Sequence, residues 1–202
     1  YDQNALSGAA TVNQVFFMVQ QFALSIGNAL VVLASQYWGE KRTEPMRRLT
    51  GIALWSGLLC GLVILIICLM MPELLRLFTD TPEILNEGMR YLKLLKWTFV
   101  FYIITNVLMA ALRSAETVNI SFYISLVSLV VNVVINYTLI YGRFGFPEMG
   151  VVGAAIGTFI ARILELGIVV IYIAFFDKKL HLFSTEILSI DWKLGKDYMK
   201  VA

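Results

Sequence analysis

Asn132 and Asn136 stand four residues apart inside a long apolar run, and Thr117, Ser121, Ser125 and Ser128 precede them at spacings of three or four. At about 100° per residue, all six fall within a sector of about 100° on one helix. Carboxamide oxygens can ligate a cation or accept a hydrogen bond from a solute, and they are costly to leave unpaired in hydrocarbon. Gln14, Gln21, Ser25, Asn28 and Gln36 form a second one-sided set, with Met18 among them. Thr98, Tyr102, Thr105, Met109 and Arg113 give a weaker third stripe, and Thr158, Arg162 and Glu165 share a face of a further run. Arg162 and Glu165 are i,i+3, the spacing of an intrahelical ion pair. Two readings stay open. Ser and Asn glue membrane helices together at roughly 1 kcal/mol each, or they line a wet path for a solute or ion. Five residues on one face of the first run, four of them amides, exceed what packing alone uses and point to a cavity. An in-span Arg–Glu pair is either a functional site or a self-neutralising anchor.

These residues must be positioned by helices that cross a membrane. Hydrophobic residues make up 59% of the 202-residue chain and charged residues 15%, with a mean hydropathy of +0.77. That is the composition of a polytopic membrane protein, outside the soluble range. About 20 apolar residues span about 30 Å of hydrocarbon. The apolar runs therefore predict five spanning helices, at about 12–38, 49–71, 93–112, 117–142 and 149–176, and an all-α membrane bundle over 1–176. Thr81 or Asp80 caps an amphipathic stretch that opens on Pro82 and leads into the third span. The second span offers only Ser56 and Cys60 as polar residues and is expected to be the most lipid-exposed; its Gly57 and Gly61 form a close-packing pattern. Residues 177–202 form a polar tail of mixed charge.

Excess Lys and Arg mark the cytoplasmic side. Ten (Lys41, Arg42, Arg47, Arg48, Arg113, Lys178, Lys179, Lys193, Lys196 and Lys200) lie on the side of the tail, and five (Arg76, Arg90, Lys93, Lys96 and Arg143) on the other. The tail is thus expected in the cytoplasm and Tyr1 outside. A formal net charge of +2 with no basic block argues against nucleic acid as a partner. Cys60 and Cys68, about 12 Å apart along one helix, are too distant for a disulfide. His181, the single histidine, lies in the tail. Without clustered His or carboxylates in the spans, an enzyme is not expected, and no cofactor is implied. The chain opens without Met, and an internal fragment is the expectation.

The sequence resembles the multidrug and toxic compound extrusion (MATE) family of cation-coupled antiporters. Asn4-Ala5-Leu6-Ser7-Gly8-Ala9-Ala10 is similar to the entry of that family's second helix, and Ala34-Ser35-Gln36-Tyr37-Trp38-Gly39 to the A-Q-x-x-G that ends it. Ala111-Leu112-Arg113-Ser114-Ala115-Glu116-Thr117 resembles the L-R-G-x-G-x-T turn, with Ser and Ala in place of Gly. Pro147-Glu148-Met149-Gly150-Val151-Val152-Gly153-Ala154-Ala155 is similar to the P-E-x-G-x-x-G-A-A entry of the sixth helix. The resemblance implies helices two to six of a twelve-helix, two-lobe transporter, with 177–202 as a cytoplasmic interlobe linker. The first helix and the carboxy-terminal lobe would lie outside this chain.

The resemblance further implies a proton or sodium site formed by an acid on the absent first helix and by positions that look like Asn132, Asn136 and Thr158. Asn136 stands where the family has Asp, one negative charge fewer. The leading expectation is an antiporter in the plasma membrane of a bacterium, exporting amphipathic, cationic small molecules by alternating access. Gln14, Gln21, Ser25, Asn28, Gln36, Tyr102 and Ser128 would line its cavity. A lipid-linked glycan flippase of the same superfamily is the alternative and would need several Arg or Lys on cavity faces, for which Arg162 and Arg113 are the candidates. A non-transporting membrane scaffold is a third reading.

Overall fold

The computed structural model describes residues 3–70, 75–76, 81–177, 179–182, 185–189 and 191–201. Tyr1, the expected second-helix stop at Pro72 and the alternative cap Asp80 lie outside these residues. Five long helices run α1 Gln3–Gly39, α2 Thr43–Met70, α3 Pro82–Ser114, α4 Val118–Ile140 and α5 Gly150–Phe175. Each is long and apolar enough to cross a membrane, and no strand occurs among the described residues. Past them come a 3₁₀ turn, Thr185–Leu188, and α6, Trp192–Val201.

The turns are short and locally specified. After α1 the chain reverses through Lys41 at φ 59°, with the Lys41 and Arg42 amides donating to the Trp38 and Tyr37 carbonyls. After α3 it reverses through Glu116 at φ 57°, and the Thr117 amide closes back on the Leu112 carbonyl at 3.0 Å. The longer passage into α5 uses Gly142 and Gly145 at φ 60° and 84°, a conformation that disfavours a Cβ.

The centre of the bundle is α3, which packs on α1, α2, α4 and α5. Its Phe99, Ile103 and Val107 are fully buried. Between apolar helices in lipid, association depends on close contact and interhelical hydrogen bonds more than on expulsion of water. Both devices are visible. Gly57 and Gly61 of α2 face Ile103 and Val100 of α3, while the Asn106 amide of α3 donates to the Ala23 carbonyl of α1. Ser128 of α4 donates to the Ala161 carbonyl of α5 at 3.3 Å.

Expected to be the most exposed span, α2 is in fact covered more than α4: 33% of its most apolar window is buried, against 17% for α4. The cause is its glycine face, which lets α3 approach, whereas α4 leans chiefly on α5.

The tail folds back on one end of the bundle. Asp177 Oδ1 accepts from the Lys179 and Leu180 amides, turning Leu180 and Leu182 into the core. Arg47 pairs with Glu186 and donates to the Leu180 carbonyl at 3.0 Å, and Lys179 Nζ donates to the Ala115 carbonyl at 3.1 Å while sitting over the Trp38 ring. The tail thereby ties the α1–α2 turn to the α3–α4 turn. Asp191 caps α6 through the Lys193 amide, and Tyr198 is buried with its hydroxyl donating to the Ile26 carbonyl at 2.8 Å. Burial pushes the Tyr198 phenol up to about 12.

Candidate functional site

Between α1, α3, α4 and α5 lies a polar cavity of about 500 Å³. Its wall follows α3 from Tyr91 to Arg113, a length of about 33 Å at 1.5 Å per residue, so it runs through most of a membrane's thickness. From α1 come Asn13, Phe16 and Gln20. Along α3, Tyr102, Thr105, Asn106, Met109 and Arg113 line it, and from α4 Ser125, Ser128, Leu129 and Asn132. α5 adds Thr158, Ala161, Arg162 and Glu165.

The middle of the cavity carries an ion pair. Arg162 Nη1 donates to Glu165 Oε2 at 2.6 Å, with the Glu165 side chain 7% exposed. The guanidinium lies over the Tyr102 ring at 4.8 Å and near that of Phe16 at 6.0 Å, so two aromatic faces already hold a cation from the protein itself.

One neighbouring region is built of neutral ligands. Asn136 Nδ2 donates to Asn132 Oδ1 at 3.1 Å, and Thr158 Oγ1 donates to the Ala154 carbonyl one turn back at 3.0 Å. The Asn136 carbonyl oxygen is buried, pressed against Gly157, and has no hydrogen-bond partner. Only glycine at 157 leaves it room, since a Cβ there would overlap that oxygen. Amide and hydroxyl oxygens suit a hard monovalent cation or a solute donor, but none brings negative charge.

The polar sets divide between two surfaces. Tyr102, Ser128, Asn132, Thr158, Arg162 and Glu165 meet on the cavity, with Asn136 one turn beyond Asn132. Gln14, Gln21, Ser25, Asn28 and Gln36 are exposed on the side of α1 opposite its packed residues Val12, Val19, Ala23 and Leu30. Asn13 and Gln20, about 100° round the helix from that stripe, face the cavity instead. Sequence reasoning passed over Asn13, Gln20, Tyr91 and Asn106. For Asn106 the signal was its spacing of four from Tyr102; for Asn13 and Gln20, their spacing of seven.

Residues 1–138 match the MatE family model. The probable multidrug resistance protein NorM of Rhizobium meliloti is 31% identical over 168 residues, which cover 83% of this chain and 36% of that protein. A probable NorM of Thermotoga maritima is 26% identical over 202 residues, 100% of this chain and 43% of that protein. The chain thus spans less than half the length of these relatives. Among solved structures, an inward-facing MATE family multidrug resistance transporter aligns with a TM-score of 0.89 at 19% identity, over 98% of this chain and 44% of its own. An outward-facing one aligns at 0.86 with 18% identity, over 96% and 43%. With a family model matched across more than half its length and a membrane bundle of the same fold, the chain belongs to the MatE family of multidrug resistance transporters, multi-pass membrane proteins that are not enzymes.

Proposed function

We propose that the full-length protein is a secondary antiporter in the plasma membrane of a bacterium, moving amphipathic organic compounds outward against an inward flow of protons or sodium ions. The observation that carries this reading is the polar cavity running alongside α3 through the depth of an otherwise apolar bundle. A scaffold has no use for such a space, because every polar group in it must be satisfied without lipid. This lobe's fold aligns with both the inward- and the outward-facing neighbours, which supports alternating access by rigid rocking of one lobe against the other.

In that scheme Asn132, Asn136 and Thr158 supply neutral oxygens to the driving ion. Asn132 and Thr158 line the cavity, and Asn136 is tied to them through its hydrogen bond to Asn132. Negative charge must then come from segments outside this chain, since Glu165, the one acid lining the cavity among the described residues, is held by Arg162. The exposed stripe of Gln14, Gln21, Ser25, Asn28 and Gln36 faces the space between the lobes. Cationic cargo fits that space, while the flippase alternative gains support from two arginines on the inner cavity. The tail lies in the cytoplasm.

Reconstitution of the full-length protein into proteoliposomes tests the proposal. An imposed proton or sodium gradient should drive ethidium movement several-fold above protein-free vesicles. Dye movement indifferent to both gradients would overturn antiport.

A further inference from the structure

The tail is seated on this lobe near both of its ends. At its start Leu180 and Leu182 are each 1% exposed, and near its end Tyr198 is fully buried, all three in the core cluster to which α1, α2 and α3 contribute. Between those anchors the first turns of α2 receive the chain. Arg47 pairs with Glu186 and donates to the Leu180 carbonyl at 3.0 Å, and Arg48 lies 3.6 Å from Asp191, the residue that caps α6. One turn beyond Arg47, Gly51 takes the Ile187 carbonyl directly against its backbone, where any Cβ would overlap that oxygen. Lys179 holds the other side through the Ala115 carbonyl and the Trp38 ring. Every partner named belongs to this chain. Release would expose Leu180, Leu182 and Tyr198 and break the Arg47–Glu186 pair together, so the tail leaves as one unit or stays as one.

The fold that includes this seat aligns with an inward-facing neighbour over 98% of the chain and with an outward-facing one over 96%. Four per cent of 202 residues is about eight, far fewer than 177–202 contains, so most of the tail has a counterpart on the lobe in both. We propose that the tail is a strap fixed to this lobe, that it travels with the lobe as one rigid body between the inward- and outward-facing states, and that the joint flexing between the lobes lies beyond Val201. The inference rests on the reading of the protein as a two-lobe transporter. A strap that bridges the α1–α2 and α3–α4 turns keeps the ends of four helices in step, so that rocking reaches the whole lobe at once.

Two measurements on the full-length protein, freed of its other cysteines, test the strap. Spin labels on Asn119→Cys, in the first turn of α4, and Lys196→Cys, on α6, report their separation by double electron–electron resonance; both sites are exposed. One narrow population should persist at acidic and alkaline pH, with sodium and with ethidium, its centre moving by less than about 2 Å. Separately, Arg42→Cys and Lys193→Cys, which line one cleft between the α1–α2 turn and α6, are bridged by a short bis-maleimide. Gradient-driven ethidium movement in proteoliposomes should stay within about twofold of the unbridged protein. Gly51→Leu, which pushes against Ile187, should broaden the distance distribution and slow transport by about fivefold or more, and the bridge should restore both.

A second population, a larger shift under any of these conditions, or loss of transport on bridging would overturn the proposal whether or not Gly51→Leu folds. Unchanged distances and transport in a folded Gly51→Leu protein would also overturn it, since the strap would then not be seated at Ile187. If no gradient drives transport even in the unbridged protein, antiport fails, and the distance distribution alone decides the strap.

Discussion

The polar stripes of α1 and α4 share one helical period, yet α4 turns Ser128 and Asn132 onto the cavity while α1 leaves Gln14, Gln21, Ser25, Asn28 and Gln36 exposed. The difference comes from what each helix packs against. α1 is held on α3 through Val12, Val19, Ala23 and Leu30, so its stripe points the opposite way. α4 is held on α5, and Ser128, which bonds the α5 carbonyl of Ala161, sits at the edge between glue and cavity lining. A residue can therefore serve both roles that the sequence left open. On the cavity side Arg162 and Glu165, and Asn132 and Asn136, are locked into one another; on the α1 side the four amides are exposed.

That contrast is tested most severely at the ion pair. Glu165→Leu strips the counter-charge from Arg162 at a site where Glu165 is 7% exposed, and should cost about 3–5 kcal/mol. Gln21→Leu, on the exposed stripe, should change stability by less than about 0.5 kcal/mol. Thermal unfolding of the full-length protein in detergent compares them. Similar losses in both would show that the α1 stripe is also locked.

A smaller effect is expected where α4 and α5 touch. Gly157→Ala places a Cβ on the Asn136 oxygen and should cost about 1–3 kcal/mol. Gly167→Ala, on the same helix with nothing near, should be neutral or stabilising by up to about 1 kcal/mol. The same melts decide it, and equal behaviour of the two would mean that the amide pair is loosely seated.

The smallest effect sharpens the view of the tail. Tyr198→Phe removes a buried hydrogen bond to Ile26 and should cost about 1 kcal/mol. With the folded phenol pushed up to about 12 and an unfolded one near 10, the stabilisation is complete below about pH 10 and is lost as the pH rises toward 12. Tyrosinate absorbance of wild type minus Tyr198→Phe should show one phenol titrating late; a difference centred near 10 would place Tyr198 at the surface.

Much of this was legible in the sequence, and the limits have physical causes. Five apolar runs, the Arg162–Glu165 spacing and the aligned Asn132 and Asn136 are local patterns, and local patterns survive into the fold because each lies within one helix. Which neighbour a stripe meets is set by packing across helices, and periodicity carries no information about it: hence Asn13 and Gln20 on the cavity in place of Gln14 and Gln21. The same holds for the greater coverage of α2, and for Arg47 with Glu186, partners 139 residues apart.

The division of labour between the neutral amides and the ion pair meets its most direct test in gradient-driven efflux by the full-length protein, normalised to folded protein. In the proposed scheme Asn132→Ala removes a neutral ligand beside the orphaned Asn136 oxygen, whereas Glu165→Gln keeps an acceptor for Arg162 and gives up only a charge already paired with it. Efflux should fall about tenfold or more in Asn132→Ala and by less than about threefold in Glu165→Gln. Efflux abolished by Glu165→Gln but intact in Asn132→Ala would contradict this assignment and place the coupling site at the ion pair of α5.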